Sequence, residues 1–387
     1  MNSRMKNRAL LALLLLVNLL GGCSPSGSHA IVPRPNTSNQ TAQRIHQELP
    51  RYQQLARQSW PTIHLTKALK FGDQHHSIPL IRQRLKLLGD LPTIAAVENT
   101  QFDQSLVLAI RSFQWRHGLK NTGVIDAKTL AALNVTPKQR LHQLVKSMQQ
   151  WAKFPEHEGA RYLRVNVASF DLDVVEQGKR IMNMRVVAGK PSRETPELYS
   201  KVETIVLNPG WNLPKTIVAR DIIPGMQRDP NYLADRHIKM YSSWKKDAYE
   251  VNPASVDWQT MSAANFPYKL SQPPGNSNPL GRVKFVFLND DDIYMHDTPQ
   301  KGLFKQIMRA YSSGCLRVEK PFQLVEYFLR ENPDEDRMSV SAHLDLEQGE
   351  TKYIRIKNPV PIYITYITAW VDEHRKIHFR EDIYKRH

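Results

Sequence analysis

The apolar pattern changes period once, near residue 160, and that change leaves few architectures open. Between residues 77 and 151 apolar side chains recur at helical spacing, whereas from Arg161 onward they alternate with polar ones. A three-to-four-residue period builds helices with one apolar stripe, and a two-residue period builds half-buried strands. Both patterns in separate blocks predict an α+β multidomain chain, a helical unit followed by a mainly β unit. A length of 387 residues agrees, since domains usually run ~100–200 residues.

The helical block carries its own boundaries. Pro79 suits a first helical turn and Gly89 a helix end, with Leu80, Ile81, Leu85 and Leu88 between them. Asp103 and Asp126 can cap a second and a third helix, the second ending at Gly118. Thr136-Pro137-Lys138-Gln139 reads as a capping box, followed by Leu141, Leu144, Val145 and Met148 on one face. Upstream, residues 42–76 read as a helical connector broken near Pro50 and Pro61. The segments Phe113-Gln114, His117-Gly118-Leu119, Thr122-Gly123-Val124-Ile125-Asp126 and Thr129-Leu130 resemble the peptidoglycan-binding domain of cell-wall enzymes, a three-helix module. That resemblance assigns residues 77–151 and implies glycan as a partner. The same apolar side chains also serve as core.

The N-terminus bears on charge and compartment. Arg4, Lys6 and Arg8 precede an apolar run from Ala9 to Leu20, and Leu20-Gly21-Gly22-Cys23 follows. This is the layout of a secretory signal, too short for a permanent span. The Leu-Gly-Gly-Cys ending resembles the lipobox of bacterial lipoproteins. It implies a signal peptide over 1–22 and lipidation of Cys23, whose acyl chains would hold the membrane at ~0.8 kcal/mol per buried methylene. Ser24 after the cysteine resembles the outer-membrane pattern of Gram-negative lipoproteins, so a lipid-anchored periplasmic protein is expected. Residues 23–41, rich in Ser, Pro, Asn and Thr, read as a flexible tether. The net charge of +16 falls to about +13 without the three basic residues of the signal. Export disfavours nucleic acid as the partner and leaves the anionic wall.

In the β half, Leu163, Val165 and Val167 alternate, and Glu176-Gln177-Gly178-Lys179 reads as a hairpin connection. Further strands are expected over 202–207, 283–288, 293–295, 353–356 and 361–370. Residues 208–281 show few strand signals, and a long insertion in a β domain is usually functional; it is expected to be a lid over a substrate groove. Asp290-Asp291-Asp292 reads as a hairpin tip rather than a metal cluster, and Lys301 and Arg309 as solvated.

Two cysteines, Cys23 and Cys315, exclude a disulfide framework and a four-cysteine metal site. If lipid occupies Cys23, Cys315 is left without a thiol partner. A free thiol has a pKa of about 8.5 and needs an imidazole or cationic surroundings to act as a nucleophile near neutrality. His296 can supply the imidazole. Amides in the Ser313-Gly314-Cys315 turn could face a developing oxyanion, and Arg317 could meet a carboxylate.

Spacing alone leaves this reading beside that of an inert buried cysteine. Ser313-Gly314-Cys315-Leu316-Arg317, preceded by His296-Asp297-Thr298-Pro299, resembles the signature of the L,D-transpeptidase (YkuD) family. Ser312-Ser313 stand where many members have Ser-His, and the doubled serine resembles a larger periplasmic subgroup. Val187–Pro191, Asn208–Pro214, Asn278–Phe285 and the C-terminal Val360–Tyr363 and Phe379–Tyr384 resemble that subgroup in the same order. The resemblance implies a catalytic domain over 160–387, with Cys315 as nucleophile and His296 as proton carrier. Tyr294 and Trp211 join Arg317 as substrate-binding residues, and no cofactor or metal is implied. The implied reaction cleaves the diaminopimelate–D-alanine bond of a donor tetrapeptide stem and forms a 3→3 cross-link. Water or a lipoprotein lysine could serve as acceptor instead, and a non-catalytic wall-binding lipoprotein is the remaining alternative.

Overall fold

The computed structural model describes residues 40–153, 161–332 and 350–386. The expected signal segment, Cys23 and nearly all of the tether lie outside the described residues.

The first helix, α1 (Gln40–Leu55), runs through Pro50 without a break. Proline there forfeits one backbone hydrogen bond, but Ala42, Ile45, Leu49, Tyr52 and Leu55 form a fully buried stripe that holds the helix together. The expected break at Pro50 is therefore corrected by packing. The helices α2 (Ile78–Leu88), α3 (Gln104–Arg116), α4 (Ala127–Asn134) and α5 (Pro137–Trp151) begin and end where their caps dictate. Asp103 accepts from the Leu106 N–H at 3.0 Å, Asp126 from the Thr129 N–H at 2.8 Å, and Thr136 and Gln139 close the capping box. One apolar core joins Ile63 and Leu69 of the extended segment to α2, α3 and α4, ending at Leu133. Helix α5, grouped with this module by periodicity, packs instead along α1.

The β half contains β1 (Arg161–Asn166), β2 (Asp171–Glu176), β3 (Lys179–Gly189), β4 (Leu198–Leu207), β5 (Trp211–Asn212), β6 (Lys239–Tyr241), β7 (Lys269–Gln272), β8 (Val283–Phe287), β9 (Met295–His296), β10 (Ala310–Ser312), β11 (Leu316–Val318), β12 (Lys352–Thr365), β13 (Ala369–Val371) and β14 (Ile377–Phe379). Following the pairings, β3-β11-β9-β8-β4-β12-β1-β2 returns to β3 and closes a ring of eight strands, with β10 beside β3. Closure removes unpaired edges. Inward side chains such as Leu163, Ile205, Phe285, Met295, Leu316 and Ile362, with Phe328 of a C-terminal helix (Pro321–Leu329), fill its core. The expected hairpin at Gln177-Gly178 is present, both residues having positive φ (50° and 74°). The two expected strands 353–356 and 361–370 are instead one long β12 and the short β13, the register shifting between Arg355 and Val360.

The insertion is a small folded body. Strands β5, β7 and β6 form a three-stranded sheet, and short helical turns over 215–228 supply Val218, Ile222, Ile223 and Met226 to an apolar core with Leu213, Met240 and Trp258. Strand signals were weak there because the strands are only two to four residues long.

The β13–β14 hairpin lies against α1, α5 and α3. The Gln143 Nε2 donates to the carbonyls of Thr368 (3.1 Å) and Arg380 (2.9 Å), and the Ala369 N–H to Ser147 Oγ (2.9 Å). Buried Arg116 pairs with buried Asp90 (Nε–Oδ1 2.7 Å) and donates to the Ile377 carbonyl.

Candidate active site

Alternation on three neighbouring strands creates the site. Phe285, Met295 and Leu316 point into the core, so Lys284, His296 and Arg317 share the opposite face. The register sets them side by side: Lys284 pairs with His296, and His296 with Arg317. One residue earlier, the Leu316 N–H donates to the Tyr294 carbonyl at 3.0 Å, bringing Cys315 alongside Tyr294. The Tyr294 and His296 rings are 5.7 Å apart, and Lys284 Nζ sits 3.8 Å from the Tyr294 ring centroid.

Cys315 is partly buried. Burial pushes its thiol above the ordinary value, while hydrogen bonding from Tyr294 and the positive charge of Lys284 pull the other way. The Sγ also faces the Asp292 carbonyl at 3.8 Å. That carbonyl is delivered by the 290–292 turn, where Asn289 Oδ1 accepts from the Asp291 and Ile293 amides at 3.1 and 2.9 Å. The Asp290–Asp292 run is thus the hairpin tip expected. The Tyr294 hydroxyl is in hydrogen-bonding contact with both Cys315 and the Trp211 indole, and burial keeps it well above a phenol's usual range. Through Trp211 the insertion reaches the thiol. Trp258, by contrast, is 7% exposed in the insertion's own core.

His296 is buried, its Nδ1 2.5 Å from the Asp297 carbonyl. Desolvation, followed by the charges of Arg317 and Lys284, holds it down at about 3, against the pull of the Asp297 and Pro279 carbonyls. The resting imidazole is neutral at physiological pH, as is the thiol. Besides burial, the groups that act on the thiol are Tyr294, Lys284, Asp292 and Arg317. The Asp297 carboxylate does not orient the ring. It accepts from the Arg282 N–H at 2.9 Å and pairs with Lys301, and Gly281, at φ +61°, has no room for a side chain beside it.

Arg317 donates to Gln300 Oε1 at 2.6 Å, and its buried Nε has no hydrogen-bond partner. The guanidinium therefore retains donor capacity for a carboxylate. Arg309, expected to be solvated, is 8% exposed and donates to the Phe170 carbonyl at 3.0 Å and the Gln306 carbonyl at 2.8 Å.

The turn before Cys315 is fastened from several sides. Gly314 has φ +121°, a conformation open to glycine. Its N–H donates to Ser312 Oγ at 3.2 Å, and that hydroxyl donates to the Cys315 carbonyl at 2.5 Å. The Gly314 amide is thus committed inside the turn, which corrects its assignment as an oxyanion donor. Thr195 Oγ1 donates to the Gly314 carbonyl at 2.7 Å and accepts from the Gly189 N–H at 2.9 Å. Ser313 Oγ accepts from Arg193 at 2.8 Å, and Arg193 pairs with Asp221 of the insertion. Sequence reasoning missed Lys284, although the alternation Val283-Lys284-Phe285 contains the signal. Thr195, Arg193 and Asp221 carry no local signal, because their roles arise across the fold.

Residues 160–341 match the family described as the L,D-transpeptidase catalytic domain, YkuD, and residues 74–133 match the "Putative peptidoglycan binding domain". A protein of Haemophilus influenzae named "Putative L,D-transpeptidase" is 35% identical over 283 residues, covering 72% of this chain and 54% of that protein. The chain thus spans about half the length of that curated relative. An L,D-transpeptidase structure from Xylanimonas cellulosilytica aligns with 78% of this chain and 99% of its own at 13% identity and a TM-score of 0.24. One from Stackebrandtia nassauensis aligns with 70% and 91% at 16% identity and a TM-score of 0.24. Scores this low leave the assignment to the family matches and the curated relative. On those grounds residues 160–341 are similar to the YkuD L,D-transpeptidase catalytic domain and residues 74–133 to the putative peptidoglycan-binding domain.

Proposed function

We propose that the chain is a peptidoglycan L,D-transpeptidase in which Cys315 carries the acyl group. The observation that supports this best is the gathering of Cys315, Tyr294, His296, Lys284 and Arg317 on one sheet face inside the segment matched to the catalytic family. Cys315 Sγ attacks the carbonyl joining diaminopimelate to the terminal D-alanine of a donor stem, its proton passing to His296. D-Alanine leaves with that proton and a thioester remains. A diaminopimelate amine of a second stem then attacks, His296 accepts the amine proton, and the thiol is regenerated with a 3→3 cross-link. Arg317 and Lys284 hold stem carboxylates. Trp211 and the insertion cover the thioester, which favours aminolysis over hydrolysis.

Incubation of the purified chain with disaccharide-tetrapeptide and product analysis by mass spectrometry tests the reading. D-Alanine release with a 3→3 dimer is expected, and Cys315→Ala is expected to give neither. D-Alanine release without dimer would assign a carboxypeptidase, and no turnover with intact Cys315 would leave wall binding alone.

The N-terminal sequence further supports export and lipidation of Cys23, with anchoring at the outer membrane of a Gram-negative envelope. The mass of the mature N-terminal peptide tests this, an unacylated terminus counting against it.

A further inference from the structure

A cleft of about 760 Å³ opens between the helical module and the C-terminal segment, away from Cys315. Its walls come from the end of α3, from α4, from the first turns of α5 and from residues 379–382. The α5 residues and the C-terminal wall lie outside both segments matched to known families, so the cleft belongs to neither domain alone. All these residues fall within one compact unit.

The cleft is charged in a specific way. Lys128, Lys138, Arg140 and Arg380 line it against Glu381 and Asp382. Asp382 is already engaged, accepting from the Tyr366 hydroxyl at 2.8 Å and the Arg386 N–H at 3.1 Å. Among the described residues none of the four cations forms an ion pair within 4.0 Å, although the Asp171 carboxylate, paired with Arg309, acts on Arg380 at longer range. The two guanidiniums are fixed by other contacts. Arg140 lies over the Phe379 ring at 4.5 Å and donates to Gln143, and Arg380 lies over Trp370 at 4.7 Å and donates to the Arg116 carbonyl. Desolvation pulls both down to about 10. A second charge brought close to a desolvated cation restores what burial has removed, provided it is negative. The rest of the wall sets small apolar side chains, Ala131, Ala132 and Val135, beside the polar Gln139, His142 and Thr368.

We propose that this composite cleft is a second binding site, for a short carboxylate-bearing peptide of the class to which the stem substrate belongs. Its volume lies within the ~300–1,000 Å³ range of sites for compact ligands, its cations suit carboxylates, and its apolar wall suits alanine methyl groups. The identification of the ligand rests on the proposed function, since that reading supplies a polymer whose acidic stems repeat. Holding one stem in the cleft raises the effective concentration of its neighbours at Cys315.

The test is calorimetric titration of the full chain, alkylated at Cys315, with the free stem tripeptide ending in diaminopimelate. Binding is expected, weakened at least about fivefold by Lys128→Gln with Lys138→Gln and abolished by Ala131→Trp, which fills the cleft. Both variants should melt within about 2 °C of the wild type, the two lysines and Ala131 being exposed. Unchanged affinity in both variants, equal binding of the fully amidated tripeptide, or no binding by the wild type would overturn the proposal. Acylation of the unmodified wild type by a carbapenem is measured in parallel. Its failure counts against the transpeptidase reading, whereas absent tripeptide binding with intact acylation counts against the cleft alone.

Discussion

Replacing Thr195 with valine removes one hydroxyl and almost no volume, and the structure assigns that hydroxyl two buried partners. Thr195 is 1% exposed, accepts from the Gly189 N–H at 2.9 Å and donates to the Gly314 carbonyl at 2.7 Å. Valine leaves a buried N–H and a buried carbonyl unpaired, and each costs ~1–3 kcal/mol. Taking about 3 kcal/mol for the pair, a domain of this size loses roughly 6–12 °C in melting temperature. The chemical consequence is larger, because Gly314 immediately precedes Cys315 and a misplacement of ~1 Å can cost about a hundredfold in rate. Thermal melting by circular dichroism and the rate of Cys315 acylation by a carbapenem read the two effects. Thr195→Ser, which restores the hydroxyl, should recover most of both. A valine variant melting within about 1 °C of the wild type and acylating within about twofold would refute the reasoning. A serine variant as impaired as valine would assign the effect to methyl packing instead.

Two further outcomes follow from the same neighbourhood. Because burial raises the Cys315 thiol above its ordinary value, it is protonated at pH 7 in the free protein. Its alkylation by iodoacetamide should climb steadily to pH 9 and beyond, whereas a rate already level between pH 5 and 8 would demonstrate a preformed thiolate. Arg193→Gln breaks the link from Ser313 to Asp221; because that pair is partly exposed it is assigned only about 1 kcal/mol, and proteolytic nicking within residues 215–228 should accelerate about fivefold. An unchanged nicking rate would mean that Arg193 does not fasten the insertion.

What could be read from the sequence was whatever is settled within a few residues. The caps at Asp103, Asp126 and Thr136 and the turn at Gln177-Gly178 are local, and the structure places each where expected. The common face of His296, Tyr294, Cys315 and Arg317 follows from alternation once the strands are recognised. Pro50 misled because the local rule against helical proline is overridden by a stripe of apolar residues packed elsewhere. Arg309 misled because a basic residue reads as solvated until the carbonyls of Gln306 and Phe170 are known to surround it. Thr195 and Gly314 are 119 residues apart, and nothing in either segment announces the other.

The protonation state of the site shows where motif and physics part. A histidine strand followed by a cysteine turn suggests a thiolate held by an imidazolium, but that pair needs solvent or a net negative surrounding to be stable. Here burial disfavours both charges, and Lys284 and Arg317, the cations beside the ring, oppose a third. The resting pair is therefore neutral thiol and neutral imidazole. A ligand carboxylate seated between Arg317 and Lys284 changes the balance at one of its terms, since it cancels the repulsion that helps hold His296 at about 3. The imidazole then becomes a better base at the moment the carbonyl is in place, while the free enzyme keeps its nucleophile protonated. The residues proposed to hold the stem carboxylates are thus also the residues that restrain the base, so Arg317→Gln should weaken ligand binding and raise the His296 imidazole above about 3. An NMR titration in which the His296 imidazole of that variant does not move from its wild-type position would refute the second role.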